Sequence, residues 1–223
     1  MKRHFDDELK KMKEKLFKMG GLVEDSIRDV SDALFNRDSD KAQQVMHKDQ
    51  EINIYEIEID QLGHELIALY QPAAVDLRLI TMVLKMTNDL ERMGDQAVNI
   101  AEKAMVINQF PPIQPYEYLP RMIENSREMV RRALHAFMTR DVEEARQVLA
   151  MDDIVDQLND KVYEDVQAHV EKYPESIRAG ISVIMVAHNV ERIGDLATNI
   201  AEDVIYLNHG IDVRHHIRER RPS

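Results

Sequence analysis

The chain has 223 residues, 41 acidic and 29 basic, and its formal charge of −12 opposes binding to nucleic acid or to an anionic membrane surface. It contains no cysteine, which excludes disulfides, thiolate metal sites and cysteine nucleophiles. The longest apolar stretch, residues 181–187, is far shorter than the roughly 20 residues that cross a bilayer, and the charged N-terminus does not fit a secretory signal, so we expect a cytoplasmic protein.

Apolar residues recur at helical spacing in six segments separated by short breaks. In chain order, we predict helices over residues 5–36, 38–71, 74–109, 118–139, 141–172 and 175–208. Pro72 and Pro174 each follow a long helical pattern that cannot easily continue through a proline. Asp141 and Glu144 form a capping-box pattern at the start of the fifth helix. The sequence therefore indicates an all-α protein.

The second half of the chain repeats the first. The sequence ERMGDQAVNIAE at 91–102 recurs as ERIGDLATNIAE at 191–202, with nine of twelve positions identical at an offset of 100. Each copy carries three predicted helices, and short connections make such a trio an up-down-up bundle. We predict two tandem three-helix bundles related by a pseudo-two-fold axis. Their boundaries fall at 1–112 and 113–212, and a basic tail follows at 213–223.

Each copy of the motif places carboxylates along one line of its helix. Because successive residues advance about 100° around a helix, Asp95 and Glu102 fall within about 40° of Glu91. This line borders the polar face rather than the apolar face. Glu191 and Asp195 repeat the arrangement in the second copy. A site built on these lines would therefore lie at the surface.

The second and fifth helices carry matching oxygen-bearing side chains. Asp49 and Asn53 lie four residues apart, and so do Asp152 and Asp156. Antiparallel packing lets each pair face one of the carboxylate lines. Like charges one turn apart cost a helix about 0.2–0.5 kcal/mol per pair, so stability alone gives no reason to build the pattern twice.

Two interpretations of these carboxylates remain open from the residues alone. Neighbouring Lys and Arg side chains could pair with them on a solvated face. Alternatively, they hold metal ions. A site rich in oxygen, with no cysteine and little histidine, suits Mg²⁺, Ca²⁺, Mn²⁺ or iron better than a closed tetrahedral zinc site.

Glycines inside the helical patterns need a separate explanation, because glycine within a helix costs about 1 kcal/mol relative to alanine. Gly94 and Gly194 occupy matching positions, and we interpret both as points where a neighbouring helix approaches too closely for a Cβ atom. The pair Gly20 and Gly21 predicts either a kink or a boundary in the first helix.

The doubled Glu-Arg-Met/Ile-Gly-Asp motif resembles the paired signature of PhoU proteins, and the resemblance covers nearly the whole chain. It implies clusters of divalent or iron-type ions (Fe, Mn, Zn or Mg) at the acidic motifs. Because Asn53 replaces a carboxylate, we expect the first cluster to bind fewer or weaker ions than the second. The implied ligands are Glu91 and Asp95 faced by Asp49 and Asn53, and Glu191 and Asp195 faced by Asp152 and Asp156.

The same resemblance implies a negative regulator of phosphate uptake and phosphate-starvation signalling rather than an enzyme. PhoU-like proteins are understood to link the ATPase subunit of a phosphate ABC transporter to a membrane sensor histidine kinase. We therefore expect those two partners, a homodimer, and contact with the membrane only through partners. A metal-free helical scaffold and a PhoU-like regulator of another transport system are the alternatives. The chain has neither the Glu-x-x-His pairs of di-iron bundles nor a phosphate-binding P-loop.

Overall fold

The computed structural model describes residues 2–113 and 117–209, which form six α-helices. Every predicted helix is present, and the predicted ends agree with the observed ones to within three residues. A short 3₁₀ helix, Pro174–Ser176, precedes the last of them. The helices are α1 (Lys2–Phe35), α2 (Ser39–Tyr70), α3 (Ala74–Ile107), α4 (Leu119–Thr139), α5 (Val142–Lys172) and α6 (Ile177–His209).

Turns of the same form connect α1 to α2 and α4 to α5. Arg37 and Arg140 adopt left-handed backbone conformations, with φ of 55° and 57°, and the aspartate after each one caps the next helix. Asp38 accepts one hydrogen bond of 2.9 Å from a first-turn amide. Asp141 accepts two, of 2.9 and 3.0 Å, which confirms the predicted cap. The Glu144 carboxylate does not complete the capping box but lies against a histidine of α4.

Sequential helices run antiparallel, so each trio is an up-down-up bundle. Lys15 near the start of α1 pairs with Glu58 in the second half of α2 at 2.6 Å. Asp29 near the end of α1 pairs with Lys48 in the first half of α2 at 2.8 Å. This reversed order of contacts is what a short helix-helix connection imposes.

The two trios meet chiefly where α3 packs against α6. Lys85 Nζ donates hydrogen bonds of 2.6 and 2.8 Å to the two carboxylate oxygens of Asp203. Lys85 lies nine residues before Gly94, and Asp203 lies nine residues after Gly194, so the helices cross around equivalent positions of the two repeats. The predicted all-α fold of two duplicated three-helix bundles is confirmed.

Two buried aspartates lie on this seam between the repeats. Asp89 of α3 is 8% exposed, and Asp203 of α6 is 4% exposed. Burial, followed by the nearby charge of Asp203, raises the pKa of Asp89 to about 6. Specific polar contacts therefore contribute to how the two repeats associate, in addition to apolar packing.

A second contact between the repeats joins α1 to α4 and explains one glycine of the pair in α1. The helix continues without interruption through Gly20 and Gly21, so the pair does not form a boundary of α1. A Cβ atom at Gly20 would collide with the side chain of Leu134 in α4, whereas Gly21 has open space. Phe17 and Phe137 pack beside this point with ring centroids 6.4 Å apart. Gly20 thus permits close approach of the two bundles.

One apolar core runs through both repeats. The boundaries 1–112 and 113–212 stay a prediction, and the basic tail at 213–223 lies outside the described residues. Among the helices that the structure describes, none is long and apolar enough to cross a membrane.

Candidate functional site

The first carboxylate cluster lies where α2 faces α3. It brings together the four residues predicted for this site, Asp49, Asn53, Glu91 and Asp95. Asn53 Nδ2 donates a hydrogen bond of 2.9 Å to Asp49 Oδ2. Burial, and after it the charge of Asp95, raises the pKa of both Asp49 and Glu91. The cluster therefore concentrates negative charge that its own residues do not neutralise.

Glu56 also belongs to this cluster, although the predicted ligand set omits it. Burial and the charges of Asp60 and Asp95 raise the pKa of Glu56, and Glu56 in turn acts on Glu91. The signal was present in the sequence, because Glu56 lies seven residues after Asp49 and so shares its helix face. Glu56 supplies the negative charge that Asn53 lacks.

One oxygen of the first cluster is left without a partner. Asp49 Oδ1 is buried and has no hydrogen bond within the described residues. It lies against the backbone of Gly94, where a Cβ atom would stand 3.0 Å from Asp49 Oδ1 and 3.0 Å from Ile52 Cδ1. The interpretation of Gly94 as a point of close helix approach is confirmed. A buried carboxylate oxygen with no donor is costly unless a cation reaches it.

The second cluster lies between α5 and α6 and contains the other four predicted residues, Asp152, Asp156, Glu191 and Asp195. Burial, then the charges of Asp156 and Asp195, raises the pKa of Asp152 to about 6. Burial and the charge of Glu191 raise the pKa of Asp156 and of Asp195. The two repeats therefore build equivalent clusters, as the duplicated sequence predicted.

The second cluster is less tightly packed than the first and has a different side chain at its edge. At Gly194 a Cβ atom would meet its nearest neighbours at 3.6 Å, which is ordinary contact, so the close-approach interpretation is wrong at this position. His188 stands where the first repeat has Asn88, and its Nδ1 lies 3.0 Å from Glu191 Oε2. Only the second cluster therefore combines carboxylates with an imidazole.

Both clusters are accessible from solvent. Their residues are half-buried or exposed, at the edge of the apolar core rather than within it. All the donor atoms except the imidazole are oxygens, and the unpartnered Asp49 oxygen adds a reason for a cation, so this donor set fits a hard metal ion. Across residues 2–113 and 117–209, however, no group of three or more His, Cys, Asp or Glu side chains is arranged to hold a metal ion.

Sequence comparisons connect both repeats to one family. A family model described as the PhoU domain matches residues 16–104 and again residues 119–204. A phosphate-specific transport system accessory protein PhoU homolog from Aquifex aeolicus is 38% identical over 214 residues, which cover 96% of this chain and 97% of the relative. The protein of the same description from Pseudomonas aeruginosa is 37% identical and covers 96% of this chain and 88% of its own length.

Solved structures agree with these matches. The crystal structure of PhoU from Pseudomonas aeruginosa superposes with a TM-score of 0.89 at 36% identity, over 93% of this chain and 100% of that chain. The phosphate transport system regulatory protein PhoU from Streptococcus pneumoniae superposes with a TM-score of 0.86 at 28% identity, over 94% of this chain and 99% of that one.

Proposed function

The chain belongs to the PhoU family, and we propose from this membership that it is an accessory regulator of phosphate transport. The observation that carries the proposal is the match of both repeats to proteins bearing that description, over 96% of this chain. The match extends over both three-helix repeats rather than over a single motif, so a regulatory role that depends on the shared fold fits the comparison.

The finer proposal is a negative regulator of phosphate uptake and of phosphate-starvation signalling. The protein acts in the cytoplasm as a homodimer, and it binds the ATPase subunit of a phosphate ABC transporter and a sensor histidine kinase. It reaches the membrane through these partners. The net charge of −12 supports binding to proteins rather than to nucleic acid or anionic lipid. The role requires no catalysis by the chain itself.

The two carboxylate clusters are the proposed metal sites, with Fe, Mn, Zn or Mg as the candidate ions. Asp49, Asn53, Glu91 and Asp95, joined by Glu56, would hold one set of ions, and the second cluster would hold the other. The ions would neutralise the acidic surface and link α2 to α3 and α5 to α6. Because side chains must turn toward a shared ion, binding also fixes a surface that a partner can recognise.

The regulatory proposal is tested by complementation. The chain is expressed in a bacterium that lacks its own PhoU protein and carries an alkaline phosphatase reporter induced by phosphate starvation. We expect the chain to restore repression of the reporter in phosphate-rich medium. A reporter that stays active although the protein accumulates in folded form would contradict the proposal and favour a regulator of another transport system.

The metal proposal is tested by elemental mass spectrometry on untagged protein purified without added metal. The variant combines Asp156→Ala, Glu191→Ala and Asp195→Ala. We expect it to lose at least half of the bound metal, because only the first cluster, which is expected to bind fewer or weaker ions, is intact. A matched control removes three exposed carboxylates elsewhere, at Asp40, Glu51 and Glu164, and should retain the metal.

Metal-free protein in all three samples, with none bound on titration, would contradict the metal proposal. The clusters would then be acidic surfaces that contact basic groups of a partner directly. The same variants test this metal-free alternative. If the unmodified protein holds no metal, and the triple variant loses partner binding while its helical content is unchanged, the result supports a metal-free scaffold.

A further inference from the structure

A small pocket opens at the end of the bundle opposite the α5–α6 connection, where the repeats meet. Its volume is about 140 Å³, and α1, α3, α6 and the end of α4 contribute to its lining. Its walls are mainly apolar, and its two charged residues, Lys13 and Arg140, are both cationic. The apolar lining consists of Phe17, Leu79, Phe137, Met138 and Leu207.

The two cations lie close enough to repel each other. Burial, and then the charge of Arg140, lowers the pKa of Lys13, while the charge of Asp76 acts in the opposite sense and to a smaller extent. Neither Lys13 nor Arg140 has a hydrogen bond or an ion pair to a carboxylate in the part of the chain that the structure describes. A half-buried ammonium group beside a guanidinium group favours an anion between them.

Arg140 is the counterpart of an arginine that has a structural role in the first repeat. Arg37 occupies the same left-handed turn position in the first repeat. Its guanidinium group donates hydrogen bonds of 2.9 and 2.6 Å to the carbonyl oxygens of Asn108 and Phe110, which fix the end of α3. Arg140 makes no such bond to α6 within residues 177–209 and lines the pocket instead. Arg140 is exposed at the pocket, and a guanidinium group there can donate hydrogen bonds to a ligand.

We propose that this pocket binds a small organic anion, with a carboxylate or phosphate group between Lys13 and Arg140 and an apolar body against Phe17 and Phe137. Charge complementarity selects the anionic group, and the apolar walls select the body attached to it. The pocket volume of about 140 Å³ is smaller than that of sites for drug-sized ligands, which begin at about 300 Å³. The ligand is therefore a molecule of about the size of one aromatic ring with its anionic group, and not a helix or a long peptide.

Isothermal titration calorimetry with phenyl phosphate, benzoate and the uncharged analogue phenol tests the proposal. We expect both anions to bind and phenol to bind much more weakly. The variant combines Lys13→Met with Arg140→Asn, because asparagine tolerates the left-handed backbone at that turn. It should weaken the binding of both anions by about tenfold or more. The matched control, Lys18→Met, removes an exposed charge from the same helix and should leave binding unchanged.

A further variant distinguishes anion binding in this pocket from anion binding to metal ions at the acidic clusters. The variant Glu191→Ala with Asp195→Ala should bind phenyl phosphate as the unmodified chain does, since the acidic clusters are not part of the pocket. The proposal is overturned if neither anion binds at millimolar concentration, if phenol binds as tightly as the anions, or if the folded double variant of Lys13 and Arg140 binds them unchanged. Circular dichroism establishes that each variant is folded.

Discussion

Replacing Lys85 with methionine should destabilise the protein through the seam between its repeats. The change removes both hydrogen bonds to Asp203, whose side chain is 6% exposed, and leaves that charge without its partner. Methionine is the residue that the second repeat has at the equivalent position, Met185, so the substitution preserves a side chain that this helix pair already accommodates.

The magnitude follows from the burial of the two partners. Removing one member of a fully buried ion pair costs about 3–5 kcal/mol. The Lys85 side chain is 52% exposed, so water already weakens the interaction, and we expect Lys85→Met to lower the free energy of unfolding by about 2 kcal/mol. Removing the other partner, with Asp203→Leu, should lower the free energy of unfolding by less, because the unpaired Lys85 can extend into solvent.

Urea denaturation followed by circular dichroism measures both single variants and the double variant. Their coupling free energy should be about 1–2 kcal/mol. The control is Lys103→Met, at the position that duplication relates to Asp203, where no salt bridge is formed within the described residues; its effect should stay within about 0.5 kcal/mol. A Lys85→Met variant as stable as the unmodified chain, or additive single effects, would refute the reasoning.

Three further predictions concern single positions. Gly94→Ala should reduce stability, because crowding against Asp49 costs about 1–3 kcal/mol and outweighs the gain in helix propensity. Gly194→Ala should instead stabilise the protein by up to about 1 kcal/mol. Thermal unfolding compares the two variants, and equal effects would contradict the Cβ distances of 3.0 Å at Gly94 and 3.6 Å at Gly194. Hydrogen bonds from neighbouring arginines lower the pKa of Glu128 from 4.5 to about 2. The stability it contributes is therefore fully present above pH 4.5 and is lost as the pH falls through about 2. Urea denaturation should show Glu128→Gln less stable by about 0.5–1 kcal/mol at pH 7, with a difference that shrinks as the pH falls toward 2. A difference independent of pH would argue against this assignment. Asp141→Ala removes both capping hydrogen bonds of α5 and should cost about 1 kcal/mol in urea denaturation; an unchanged midpoint would show that the cap is not needed.

The helices and the paired clusters could be predicted because their determinants are local or repeated. Helical periodicity, the prolines after α2 and α5 and the cap at Asp141 lie within a few residues of what they determine. The duplicated motif at Glu91 and Glu191 shows that whatever one repeat builds, the other builds too. Helix phase then places the carboxylates on facing helices.

Features that depend on packing between helices could not be predicted in the same way. Gly94 and Gly194 match in sequence, yet only Gly94 lies against a neighbouring helix too closely for a Cβ atom. The approach of Lys13 to Arg140 depends on how α1 meets α4, and no sequence spacing encodes it. Duplication indicates equivalent positions, but divergence at neighbouring positions decides how closely the helices pack there.

The antiparallel crossing of α3 and α6 also determines which halves can associate. If a first repeat paired with another first repeat around Gly94, Lys85 would stand opposite a second copy's Lys103, and the two ammonium groups would repel. If a second repeat paired with its own kind, Asp203 would stand opposite Met185 and lose its cation. Only the unlike pairing places Lys85 opposite Asp203. The interface between the repeats therefore favours the pairing of unlike halves, and its charges oppose the pairing of two identical halves.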